Sequence, residues 1–183
     1  MSTNENVKRL FDELKSCHPK NAGDVCIAVV ETLLSYDKTL LIELVKEHYS
    51  WAEQQATVKP LHFGYAKFLL AFGFFYSDRY DEALAILAEA ENLFTEHNEP
   101  DAAAACMAMQ SSIYRTFENV DLALKYSWLS YDQLLKSGQF PFFFMAVNTN
   151  IGGIYLDRKH YDEAIPFYKS ALELAEKEEK YYL

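Results

Sequence analysis

The stretch from Asn150 to Ala175, NIGGIYLDRKHYDEAIPFYKSALELA, decides the fold. Small and apolar residues recur in it at intervals of three and four: Ile151 and Gly152, then Tyr155, and after a break Ala164, Tyr168 and Ala171. That is the period of helices with one buried face each. The break, Asp157 to His160, is short and polar, as a connection between two antiparallel helices requires. Helices so joined approach closely at the small residues, and the aromatics fill the space beside them.

The same hairpin is legible upstream. Tyr80-Asp81-Glu82-Ala83 repeats Tyr161-Asp162-Glu163-Ala164 letter for letter, with Ala71 and Phe74 ahead of it and Leu87 and Ala90 behind. A weaker copy lies between them, with Ser111, Tyr114, Ala123, Ser127 and Ser130 in the corresponding places and Ser127 where a bulky residue is expected. Pro60, Pro100 and Pro141 each open a unit at a first-turn position. The hairpins are predicted at about 60–98, 100–138 and 141–178. Asp78, with Asp81 or Glu82, is expected to start the second helix of the first hairpin, Asn119 to cap that of the middle one, and Gly138 to end it.

These residues resemble the tetratricopeptide repeat (TPR), which sets small residues against large ones at this spacing. Ala83, Ala123 and Ala164 stand 40 and 41 residues apart, longer than the roughly 34 of a standard TPR and within the range of HEAT and armadillo repeats. The spacings inside the hairpin decide: small to aromatic is 3, aromatic to alanine 9, and Ala83 to Ala90 or Ala164 to Ala171 is 7. The extra residues therefore fall between hairpins, as in a long-period TPR. The resemblance implies an all-α, right-handed α-solenoid of antiparallel hairpins with about nine helices in a single continuous domain.

Residues 1–57 fit the repeat poorly and read as a degenerate repeat or an N-terminal cap. Val7, Leu10, Phe11 and Leu14 mark an amphipathic helix ending before Pro19. A second helix from Asn21, through Val25, Ile27, Val29, Val30, Leu33 and Leu34, is apolar round most of its circumference and needs cover on more than one side. Leu40, Leu41, Leu44, Val45 and His48 to Trp51 form a third, with Asp37 as its cap.

Composition excludes several classes of function. With 27 acidic against 17 basic residues, the formal net charge is −10, and no basic stripe stands out. Nucleic acid is therefore not an expected partner. No leader pattern and no long uncharged apolar run is present, so the chain is expected to be soluble and cytoplasmic, with no membrane partner. Cys17, Cys26 and Cys106 lack metal-ligand spacing and leave an odd thiol, the pattern of reduced packing residues. His18, His48, His62, His97 and His160 are scattered, and no phosphate-binding loop, dinucleotide fingerprint or nucleophile elbow occurs. No catalytic, metal or cofactor site is expected.

The resemblance carries a groove onto the first helix of each hairpin. In the first hairpin its wall is Tyr65, Phe68, Phe72, Phe75 and Tyr76; in the second Ala105, Ala108, Ser112, Arg115 and Thr116; in the third Ala146, Thr149, Gly153, Leu156 and Asp157. The aromatic stripe is either a ligand surface or core beneath the helices before residue 57. Asn150 stands where many TPRs touch a peptide backbone, or else bonds within its repeat. Leu69, Met109, Thr149 and Gly153 fill the places where chaperone-binding members carry basic clamps, so no carboxylate clamp is expected. Phe140, Phe142, Phe143 and Phe144 form either an exposed patch or a contact with the preceding helix. By resemblance, the chain reads as a non-catalytic protein- or peptide-binding scaffold, the N-terminal regulatory module of a longer intracellular signalling protein. The alternative is a freestanding adaptor, with the apolar end at Ile165, Leu172, Leu174 and Tyr181-Tyr182-Leu183 covered by a homodimer through the C-terminal hairpin.

Overall fold

The 3.6-residue period and the proline starts act as read. The computed structural model describes residues 3–18, 21–34, 38–138 and 140–179. Among these it forms nine helices and no strand: α1 (Thr3–Ser16), α2 (Ala22–Leu33), α3 (Lys38–Glu53), α4 (Pro60–Tyr76), α5 (Tyr80–Glu96), α6 (Pro100–Thr116), α7 (Val120–Ser137), α8 (Pro141–Asp157) and α9 (Tyr161–Glu179). The fold is an all-α repeat of helical hairpins. The expected roles of Pro19, Asp37 and Tyr181 to Leu183 lie outside the described residues. Pro166 stands inside α9 without ending it.

Two compact units divide the chain, Met1–Ala102 and Ala103–Leu183. In the first, α4 is the central helix: α2, α3 and α5 all pack against it, and every residue from Gly64 to Phe74 is buried. Cover on several sides lets a helix be apolar all round. α3 approaches α4 where Gly73 leaves room, since a Cβ there would come within 2.7 Å of Val45 Cγ2. α1 supplies Val7, Leu10, Phe11 and Leu14 to the core, and α2 a wide buried face from Ala22 to Leu33. In the second unit, α7 packs on α8 and α8 on α9.

Each turn inside a hairpin is built the same way. Asp78, Glu118 and Lys159 take left-handed conformations, with φ of 60°, 57° and 63°. The next amide in each case donates to the carbonyl five residues back: Arg79 to Phe74, Asn119 to Tyr114 and His160 to Tyr155, each at 2.9 Å. With the shorter bonds from Asp78 to Phe75, Glu118 to Arg115 and Lys159 to Leu156, these are complete Schellman caps. Asn98 makes a fourth at the end of α5, with Glu99 donating to Phe94 at 2.8 Å. The aromatic residue of the repeat is thus also the residue whose carbonyl closes the cap.

One expectation about helix ends needs correction, and two hold. Asp78 does not cap α5: Arg79 holds the N-cap position without a side-chain bond, while Asp78 ends α4 and accepts from Lys38 Nζ at 2.8 Å. Asn119 does cap α7, accepting from the Leu122 amide at 3.3 Å, and Gly138 ends that helix at φ 66°.

A side chain at positive φ costs roughly 1–2 kcal/mol relative to glycine, which itself loses more entropy on folding. Lys159→Gly is therefore expected to stabilise the chain by about 1 kcal/mol, a rise in Tm of about 2–4 °C. Thermal unfolding followed by circular dichroism measures it, and a fall in Tm would contradict the cap.

Candidate functional site

The aromatic wall expected in the first hairpin is core. Tyr65 is 5% exposed, Phe68 3% and Phe72 2%, while Phe75 and Tyr76 are half-buried. Tyr65 packs on Phe94 at 4.8 Å between ring centroids, and Phe94 lies where a Cβ on Gly64 would come within 3.0 Å of it. Phe72 meets Tyr76 at 4.6 Å, and Phe75 meets Tyr80 edge-on at 5.8 Å. No ligand reaches Tyr65, Phe68 or Phe72 without displacing side chains, so these three leave the candidate groove. Sequence could not decide this, because the cover comes partly from helices outside the repeat pattern.

At the edge of the same unit, a pocket of about 240 Å³ lies between α1 and α3, lined by Lys8, Phe11, Asp12, Lys15, Leu44, Glu47 and His48. His48 is buried, stacked between Phe11 at 4.8 Å and Trp51 at 5.6 Å, and neither ring nitrogen has a protein hydrogen-bond partner. Burial, reinforced by nearby Lys15, holds its pKa down at about 3. His62 is depressed too, mainly by burial, against the bond its Nε2 makes with the Cys17 carbonyl at 3.1 Å.

The second unit keeps a polar seam between its first helices. Asn150 on α8 is buried and donates from Nδ2 to Ser111 Oγ at 3.0 Å and to Ser112 Oγ at 2.8 Å, both on α6. Ser111 in turn lies 2.6 Å from Ser127 Oγ on α7, and Ser130 donates to the Ala104 carbonyl at 2.7 Å. Asn150 thus spends both amide hydrogens on the preceding hairpin, so the bond expected within its own repeat is made between repeats instead. One turn further along, the Arg115 guanidinium crosses α8 over Gly153, where any Cβ would overlap it, and ends 3.8 Å from Asp157. Thr149 and Leu156 are exposed on this face, and Ser112 and Arg115 half-buried. The structure therefore brings Ser112, Arg115, Thr149, Gly153, Leu156 and Asp157 onto one pair of helices. The sequence signal for the Arg115–Gly153 pairing is a second glycine beside Gly152, where one suffices for helix contact.

The residues expected to pack the repeats mostly do so. Ala71, Phe74, Ala83, Leu87, Ala90, Ser111, Ala123, Ile151, Gly152 and Ala164 are buried, and Tyr114, Tyr155 and Ala171 half-buried. Tyr168 lays its ring over Gly152, 3.2 Å from where a Cβ would sit, yet its other face is open. Tyr114 stacks on Tyr126 at 5.4 Å, and in the equivalent places Tyr155 stacks on Phe167 at 5.9 Å. Phe143 is buried and Phe144 meets Tyr131 of α7 at 5.2 Å, so Phe144 makes the expected contact with the preceding helix, while Phe142 packs edge-on against Phe143 at 5.1 Å.

Among the described residues, no group of three His, Cys, Asp or Glu side chains could hold a metal ion, and no helix is long and apolar enough to cross a membrane. Cys17, Cys26 and Cys106 are free thiols.

No protein-family model matches the chain, and no curated protein matches it. Among solved structures it is similar to the crystal structure of BtubC (BKLC) from P. vanneervenii, at 17% identity and a TM-score of 0.60, over 96% of this chain and 80% of that one. A likeness at that identity carries the fold alone: an all-helical chain of repeat-like architecture.

Two measurements follow from this packing. Phe72→Ala is expected to cost about 3–5 kcal/mol in urea unfolding, as for a fully enclosed ring; a change below 1 kcal/mol would return Phe72 to the surface. For His48 the folded-state pKa lies below the unfolded value, so its contribution to stability is complete above about pH 6.5 and is lost as pH falls toward about 3. At pH 5 the loss from this ring alone is about 2 kcal/mol. Wild type is expected to lose that much more than His48→Phe between pH 7 and pH 5, and parallel pH profiles would show that the ring is not buried.

Proposed function

We propose that the chain is a non-catalytic TPR-like scaffold that holds a protein or peptide partner on the α6–α8 face of its second unit. One observation carries the reading: Arg115 is drawn across Gly153 toward Asp157, leaving a charged pair 3.8 Å apart beside exposed Thr149 and Leu156. A loosely paired guanidinium offers free donors to a carboxylate or to backbone carbonyls, and Leu156 offers apolar area beside it. Such recognition relies on hydrogen bonds and charge, not on the aromatic stripe.

The TPR assignment rests on the small-to-large spacing of the three hairpins together with their identical caps. Regulation is the favoured setting: a chain of stacked hairpins couples occupancy of one face to the packing of its neighbours, as a sensor segment of a signalling protein requires. A freestanding adaptor is the second reading. The mass of the endogenous polypeptide separates them, since 21.1 kDa fits the adaptor and a much larger mass the regulatory segment.

Site-specific photocrosslinking in the native cells tests the face. A benzophenone side chain at Thr149 is expected to capture a discrete protein adduct that Arg115→Ala weakens, while the same probe at Lys136 on α7 captures none. Equal labelling from both positions would sink the assignment.

A further inference from the structure

α9 carries a second apolar face that, apart from the contact of the Tyr168 ring with Gly152, nothing among the described residues covers. Tyr161, Ile165, Tyr168 and Leu172 follow one another at intervals of four, three and four, and are 56%, 48%, 37% and 60% exposed. They lie about 110° round the helix from Ala164, Phe167, Ala171 and Leu174, which turn inward. Single exposed apolar residues are ordinary, but a four-residue stripe along one helix marks an interaction surface.

The repeat itself says what kind of element fits there. The equivalent places on α7 are Val120, Leu124, Ser127 and Tyr131, and all are buried or half-buried. α8 packs on α7, with Phe144 against Tyr131 at 5.2 Å. What α8 does for α7, no described helix does for α9. We infer that the Tyr161–Ile165–Tyr168–Leu172 face is a docking site for one amphipathic helix, laid along α9 as α8 lies along α7. Its flank sets the charge of the partner: Asp162, Glu173 and Glu176 against Lys169 make the exposed rim acidic, so the incoming helix carries basic residues beside its apolar face.

A second copy of this chain fits less well. Two α9 faces brought together would set acidic rims against each other in a chain already at −10. A head-to-tail copy would offer α1, whose outward residues Lys8, Arg9, Asp12 and Glu13 are exposed and charged. The inference stands apart from the α6–α8 face, because it uses only the equivalence of α7 and α9.

The probe is a fluorescein-labelled peptide of residues 141–157, the sequence of α8, with two lysines added at each end. Fluorescence anisotropy with the full chain is expected to show saturable binding, absent for a scrambled peptide with the same lysines. Ile165→Ser with Leu172→Ser is expected to weaken it about tenfold or more, with an unchanged circular dichroism spectrum because both residues are exposed. No saturable binding overturns the inference. So does equal affinity for the double variant, which would mean that the peptide exchanges into the place of α8. A dimer in sedimentation equilibrium that the double variant takes apart overturns it in favour of a second copy. Crosslinking from Thr149 is unaffected by these substitutions, so failure here leaves the α6–α8 reading standing.

Discussion

The structure depends on how closely two helices of a hairpin can approach, and one pair of positions sets that distance. A small residue on the first helix faces a residue two turns into the second: Gly152 faces Tyr168, and Ser111 faces Ser127. The two solutions are physically different. Glycine leaves a seat into which an aromatic ring lies flat, filling the interface with dispersion contacts. Two serines are too small to fill it in that way, and a hydrogen bond of 2.6 Å joins them. A buried hydroxyl pair that satisfies itself avoids the desolvation cost that either would bear alone. The degenerate middle hairpin is therefore a hairpin by another chemistry, with its spacing intact.

The caps extend the same economy of position. The aromatic three residues after the small seat ends the first helix with its carbonyl in the 6→1 bond, and its ring covers the turn it closes. Arg79 lies 4.3 Å over Phe74, and His160 stacks on Tyr155. One residue fixes both the packing and the chain reversal, which explains why the spacing inside the hairpin is kept while the spacing between hairpins grows. The left-handed positions carry Asp, Glu and Lys instead of glycine, so each turn holds a small strain that the surrounding packing sustains.

Helix number, helix starts and the repeat were legible in the sequence because each rests on a local rule: a 3.6-residue period, proline in the first turn, alanine at a fixed interval. The caps were not, because the usual signal is glycine and none of Asp78, Asn98, Glu118 or Lys159 supplies it. The fate of Tyr65, Phe68 and Phe72 was not either. A stripe of aromatics on a first helix looks the same whether it lines a groove or lies under a neighbour, and the decision belongs to residues far off in sequence. The same holds for Asn150, for which the sequence offered a peptide contact or a bond within its repeat, and which instead bonds Ser111 and Ser112 of the preceding hairpin.

The first helices of the hairpins differ in what they would offer a partner. α4 is covered so fully that it has no side free for a partner, and its apolar residues contribute stability instead. Where α4 has Tyr65, Phe68 and Phe72, α6 has Ala105, Ala108 and Ser112 and α8 has Ala146, Thr149 and Gly153, and such residues give little hydrophobic energy when a ligand covers them. On the proposed reading, affinity on that face would come from directional contacts, with Arg115 at its centre. An aromatic surface tolerates many apolar partners, whereas a seam of hydroxyls with one guanidinium discriminates by whether its hydrogen bonds are met. On the proposed reading, a partner held there would be selected by its polar pattern, whereas the apolar stripe on α9 would select by shape and area, so the two faces of the second unit would answer to different chemistry.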